Sequence, residues 1–130
     1  MTEFSDALKT AASGMQAQAM RLRYTSENIS NADTPGYRRK LMSFEAEMNR
    51  GQASGGVVAG AMKLDHSTLP RIHDPSHPMA DEAGYFDGSN VDLVMEIADA
   101  REAQRSYEAN LKMFDQVRKM SSSLMDLLKK

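Results

Sequence analysis

Residues 107–128 read YEANLKMFDQVRKMSSSLMDLL, and as a helix they are apolar around more of the circumference than one core can use. At about 100° per residue, Tyr107, Leu111, Phe114, Met125 and Leu128 make one face, and Met113, Val117, Met120, Leu124 and Leu127 make a second beside it. Together they span about 200° of arc, where a surface helix needs somewhat more than about 100° to face a single core. Arg101, Arg105, Glu108, Lys112, Asp115, Lys119, Ser123 and Asp126 fill the remainder, with Glu108–Lys112 and Asp115–Lys119 in the favourable i,i+4 order. The pattern runs back without Gly or Pro to Ser89-Asn90-Val91-Asp92. Ser89 and Asp92 have capping-box spacing, so a helix of up to ~40 residues and roughly 60 Å is predicted from there on.

A first helix is expected over 5–31, where Phe4, Leu8, Ala11, Ala12, Met15, Ala19, Leu22, Ser26 and Ile29 recur at helical spacing and Leu8, Met15, Leu22 and Ile29 stand seven apart. Gly14 is its weak point, costing ~1 kcal/mol relative to Ala. Asn31-Ala32-Asp33-Thr34-Pro35-Gly36 stops it near 32, since Pro35 disfavours the helical conformation at Thr34 and Gly36 takes a turn. This helix covers one apolar face of the second, leaving the other for a partner outside the chain. The alternative is that the segment between the helices covers both. Eleven Met suit packing against non-identical neighbours.

From about 46 to 90 the texture changes, with six of the eight Gly and three of the four Pro. Short strands and loops are expected there, with Gly51–Gly56 flexible and His73–Pro78 irregular. The fold class expected is mainly α: long terminal amphipathic helices packed as a coiled-coil-like pair, with a short irregular or β middle segment. Residues 1–33 and 89–130 form the terminal-helix unit, and 34–88 the turn, loop and small β connector.

At 130 residues the chain is one folding unit, and without Trp its core is thin, which favours burial completed by other subunits. A net charge of −2 without a basic stripe argues against nucleic acid. No Cys is present, so thiolate metal sites and disulfides are excluded. The acidic start, Met1 to Asp6, lacks an apolar signal core, and nowhere do some 18 apolar residues run together. Neither Sec export by such a signal nor a membrane span is expected.

His66, His73, His77 and Asp74 invite a metal reading, but Pro75 and Pro78 deny the helix that would converge His73 and His77, so loop histidines and no metal or cofactor are expected. Asp81-Glu82 reads as a solvated pair, and Arg38-Arg39-Lys40 as a solvated or salt-bridged turn with a neighbour-subunit interface as its alternative. Asn28, Asn31 and Asn110 lie near the helix seams and are expected either to fix register by side-chain hydrogen bonds or to face solvent.

Two end signatures carry a resemblance. The first is Ser26-Glu27-Asn28-Ile29-Ser30-Asn31-Ala32-Asp33-Thr34-Pro35-Gly36-Tyr37-Arg38-Arg39-Lys40, and the second joins Asn90-Val91-Asp92 to Arg105-Ser106-Tyr107-Glu108-Ala109-Asn110. With them the chain resembles the bacterial flagellar axial rod and hook family. Asp74-Pro75-Ser76-His77-Pro78 and Ala80-Asp81-Glu82-Ala83-Gly84-Tyr85 bring it closest to the proximal-rod type; Ser89 departs from the family's frequent Pro.

The resemblance implies a structural subunit of the basal-body rod, not an enzyme. Its terminal helices would lie in the inner layer around the export channel, transmitting torque, with the middle segment outside. It implies export by the flagellar type III apparatus into a rod spanning the periplasm. The partners implied are copies of itself, other rod proteins, the export apparatus, an MS-ring or FliE-type base and distal rod components. The assembly interface expected comprises Leu8, Met15, Leu22, Ile29, Tyr107, Leu111, Phe114, Val117, Met120, Leu124 and Leu128. The motif residues are Asn28, Asn31, Thr34, Pro35, Gly36, Tyr37, Asn90, Val91 and Asn110. A sibling rod protein, a soluble coiled-coil adaptor or chaperone, and a small metal-dependent enzyme are the alternatives.

Overall fold

The computed structural model describes residues 2–129, so the outer limits of the two terminal ranges above, Met1 and Lys130, lie outside the described residues. Helix α1 spans Thr2–Ser30 and helix α2 Leu93–Leu128. Between them lie β1 (Lys40–Leu41), β2 (Phe44–Asn49), β3 (Gln52–Ala59), β4 (Lys63–Leu64), β5 (Arg71–His73) and β6 (Tyr85–Asp87). The strands pair as three antiparallel ribbons, β1 with β4, β2 with β3, and β5 with β6. About half of the residues are helical and 19% are in strands, so the mainly-α expectation is corrected: two helices flank a β-rich middle.

The middle is more ordered than its glycines suggest. Gly51–Gly56, expected to be flexible, forms part of the turn and the first half of the second strand of a hairpin. Asn49 pairs with Gln52 across the two-residue loop Arg50-Gly51, where φ is +54° and +82°. Two positive φ values give the turn whose twist matches antiparallel strands. Gly56 then lets β3 lie on α1, since a Cβ there would stand 3.0 Å from Ser13 Oγ, and the Val57 N–H donates to that same hydroxyl at 3.1 Å.

The helices run antiparallel. Arg21 meets Asp99 and Glu102, Gly14 lies under the Asn110 side chain, and Phe4 borders Met120 and Leu124. Their seam is not the Leu8–Met15–Leu22–Ile29 heptad, whose members are all half-buried on its flank. It is built of small residues: Ala11 and Ala103 are buried and Gly14 takes Asn110 directly. Asn28, Thr25, Ser89 and Glu96 are buried polar groups, concentrated where the two helices meet the middle segment.

The second helix starts at Leu93 rather than Ser89, and the expected Ser89–Asp92 capping box is not what caps it. Asp92 is the cap, its carboxylate accepting from the Val94 and Met95 N–H groups. Ser89 instead donates its hydroxyl to the Ala32 carbonyl. No described helix is long and apolar enough to cross a membrane.

Candidate assembly site

At the end of α1 the chain must reverse, and the local sequence supplies each bond of the reversal. The Asn31 amide donates to the Glu27 carbonyl at 2.8 Å and its oxygen accepts from the Thr34 hydroxyl at 3.0 Å. Gly36, at φ +74°, turns its N–H toward the Asp87 and Gly88 carbonyls, which ties the turn to the end of β6. A side chain with a Cβ is disfavoured at that φ.

The segment after the turn, Tyr37–Lys40, is held between two asparagines that come from opposite ends of the sequence. Asn28, 1% exposed, pairs with Lys40 as a strand would: its oxygen accepts from the Lys40 N–H at 2.8 Å, and its amide donates to the Lys40 carbonyl at 3.1 Å. That oxygen also accepts from the Tyr37 hydroxyl at 2.8 Å. From the other side, Asn90 accepts from the Arg39 N–H at 2.7 Å and donates to the Asp65 carbonyl and the Ser67 hydroxyl. The Asn90 N–H meets the Tyr37 carbonyl at 3.3 Å. Buried polar groups that satisfy each other in this way define one geometry, because any other leaves them unpaired.

Charge completes the cluster. Glu96, 1% exposed, accepts from Arg39 Nε at 2.7 Å, and the same guanidinium approaches Asp65 and Asp99 at 3.6 and 4.0 Å. Lys40 donates to Glu27 at 2.5 Å, which lowers the Glu27 carboxyl and raises the Lys40 amine. Asp65 is held low chiefly by its hydrogen bond from the Ser67 backbone, and burial raises the Tyr37 phenol. Arg38 donates to the Asp65 and Ser67 carbonyls. The basic run 38–40 is thus bound within the chain. Glu96, which anchors it, was missed in the sequence; the only signal was a carboxylate seven residues before Ala103 on the inner face of the helix.

The loop histidines are packed, not convergent. His77 stacks on Phe86 with centroids 3.9 Å apart, and its Nδ1 accepts from the Met79 N–H. His73 leans on Tyr85 at 4.7 Å. Among the described residues no three His, Asp or Glu side chains are grouped to hold a metal. Asp81 is not merely solvated beside Glu82: it accepts from the Tyr85 and Ala83 N–H groups and from Arg71, which hold its carboxyl low.

Of the residues expected at an assembly interface, Tyr107, Phe114 and Val117 are half-buried, as are Leu8, Met15, Leu22 and Ile29. Leu111, Met120, Leu124 and Leu128 are exposed. Val91, Pro35, Asn31 and Tyr37 are half-buried, Thr34 and Gly36 exposed. Asn110 donates to the Ser106 carbonyl one turn back while covering Gly14. On the second face of α2, Met113 is 61% exposed, Met120 54% and Leu127 68%. The β-rich middle does not cover that face.

Comparison with known proteins gives the same two ends. Residues 8–38 match the family model "Flagella basal body rod protein", and residues 82–127 match "Flagellar basal body rod FlgEFG protein C-terminal". The chain is 41% identical to the flagellar basal-body rod protein FlgC of Agrobacterium fabrum, with 99% of this chain and 98% of that one aligned. It is 36% identical to that of Aquifex aeolicus, over 88% and 89% of the two chains, and 32% identical to that of Salmonella typhimurium, over 90% and 92%. The chain belongs to the FlgC family of flagellar basal-body rod proteins.

Proposed function

We propose that this structural rod subunit of the flagellar basal body, which is not an enzyme, builds the inner wall of the rod with its terminal helices. In this reading 1–33 and 89–130 act as one inner unit lining the export channel and carrying torque, while 34–88 lies outward. Assembly with other rod and basal-body components follows from the family. Its neighbours would be copies of itself, other rod proteins, an MS-ring or FliE-type base and distal rod components. The flagellar type III apparatus would deliver it across the periplasm. Leu8, Met15, Leu22 and Ile29 on α1, and Tyr107, Leu111, Phe114, Val117, Met120, Leu124 and Leu128 on α2, would meet neighbours. The turn held by Asn28, Asn31, Thr34, Pro35, Gly36, Tyr37, Asn90 and Val91 would set the angle at which the middle segment leaves the helices, with Asn110 fixing their register.

The observation that carries this reading is the apolar surface of α2, where Met113, Met120 and Leu127 stay more than half exposed although Phe4 of α1 borders Met120, Leu124 and Leu127. The test compares Leu124→Asp on that face with Lys119→Asp on the polar side of the same helix. A carboxylate at 124 would be buried unpaired at every copy, costing at least several kcal/mol, while an exposed pair lost at 119 costs roughly 0–1 kcal/mol. Cells carrying Leu124→Asp are expected to export the subunit, build no rod and not swim, and Lys119→Asp cells to swim nearly normally. Equal motility of the two strains sinks the interface.

A further inference from the structure

Thioethers are the softest nucleophiles this chain carries, because it has no Cys and no Trp. A two-electron oxidant therefore meets methionine sulfur first. Of the ten Met among the described residues seven are exposed, and two of these share one line of α2. Met113 and Met120 are 61% and 54% exposed, and their seven-residue spacing puts them about two turns apart in nearly the same direction. Val117 and Leu124 lie along the same line, the first half-buried and the second exposed. Met15, Met20 and Met42 are half-buried instead.

We propose that Met113 and Met120 form a modification site, oxidised to sulfoxides by hydrogen peroxide in the unassembled subunit and shielded from it in the rod. This rests on the rod-subunit reading, since neighbours supply the shield. The sulfur lone pair attacks one peroxide oxygen, the O–O bond breaks, and the departing hydroxide takes the proton of the transferred oxygen and leaves as water. Sulfur gives up the two electrons that the peroxide gains. The product is a polar side chain in place of a flexible apolar one. Its oxygen is a strong acceptor, and burying it against an apolar neighbour strips its hydration. An oxidised subunit is thus left out of the wall, while one already built in keeps its sulfurs reduced.

Purified full-length chain and purified basal bodies would be treated with the same limiting hydrogen peroxide, and the oxygen gained at each Met read by peptide mass mapping. In the free chain Met113 and Met120 are expected to oxidise roughly fivefold faster than Met15 and Met20, and in basal bodies roughly tenfold slower than in the free chain. The consequence is read in cells carrying Met113→Gln with Met120→Gln, a neutral polar pair standing in for the sulfoxides. The control is Met79→Gln, 65% exposed in the β5–β6 loop. The double variant is expected to be exported yet to fall roughly tenfold in basal bodies, and the Met79 variant to stay within about twofold of the unaltered chain. If the purified double variant loses helicity, the mass mapping alone decides. Equal oxidation rates in free chain and basal bodies, or normal incorporation of a folded double variant, would overturn the proposal. Where Leu124→Asp blocks the rod and the glutamine pair does not, the oxidation site falls and the wall reading stands; where both assemble, both fall.

Discussion

Arg39 is the positive group that faces the nearly inaccessible carboxylate of Glu96, and removing it leaves that charge without a counter-ion away from water. Breaking one side of a buried pair is far costlier than replacing both sides by apolar groups. Arg39→Ala is therefore expected to destabilise the chain by about 3 kcal/mol, and Arg39→Leu with Glu96→Leu to recover most of that loss. Urea unfolding followed by circular dichroism measures both, and an Arg39→Ala midpoint no lower than that of Arg38→Ala would contradict the assignment. The polar motif positions were legible in the sequence, because Asn28, Asn31 and Asn90 flank a helix stop and a helix start. Their bonds were not. Asn28 to Lys40 and Asn90 to Arg39 are pairings of side chain with backbone across 12 and 51 residues, and they exist only once the chain has reversed.

Helix α1 shows a stripe in which small and large residues take different places. Leu8, Met15, Leu22 and Ile29 form a half-buried ridge, while beside it Ala11 is buried and Gly14 receives the Asn110 side chain. Gly14 is thereby explained. A Cβ there would stand 2.9 Å from the Asn110 amide nitrogen and 3.0 Å from its Cγ, so the helix keeps a residue that costs ~1 kcal/mol in propensity. Gly14→Ala is expected to destabilise the wild-type chain, yet to stabilise the Asn110→Ala chain by up to about 1 kcal/mol, as the propensity gain appears once the clash is gone. A double-mutant cycle in urea reads the coupling, and additive effects would remove Asn110 from the seam. The hairpin β2–β3 was hidden for a different reason. Its turn, Arg50-Gly51, lacks the Asn or Asp that usually marks two positive φ values, and its Gly-rich strand reads as loose until Ser13 on α1 is there to receive it.

For the whole molecule, the ion pairs and turn bonds set a pH window. Glu27, Asp65, Asp74 and Asp81 are held below their ordinary values of 4.5 for Glu27 and 3.8 for the aspartates. The stability they contribute is present above those values and lost as pH falls through the lowered ones. Lys40 and Tyr37 are raised from 10.5 and 10.0, so their contribution is complete below those values and lost as pH rises through the raised ones. Urea midpoints are expected to be level between about pH 6 and 8 as far as these groups act and to fall toward about pH 3; a midpoint that rises on acidification contradicts the paired carboxylates. The clamp on Tyr37–Lys40 has a consequence in time. One of its two asparagines, and the carboxylate that neutralises Arg39, arrive more than fifty residues after the segment they hold. Until residues 90–96 are in place the turn is unfinished, with Arg39 unmatched and the backbone bonds from Asn90 unmade. Long-range closure of this kind is slow, so the turn at the end of α1 is among the last parts of the chain to be fixed.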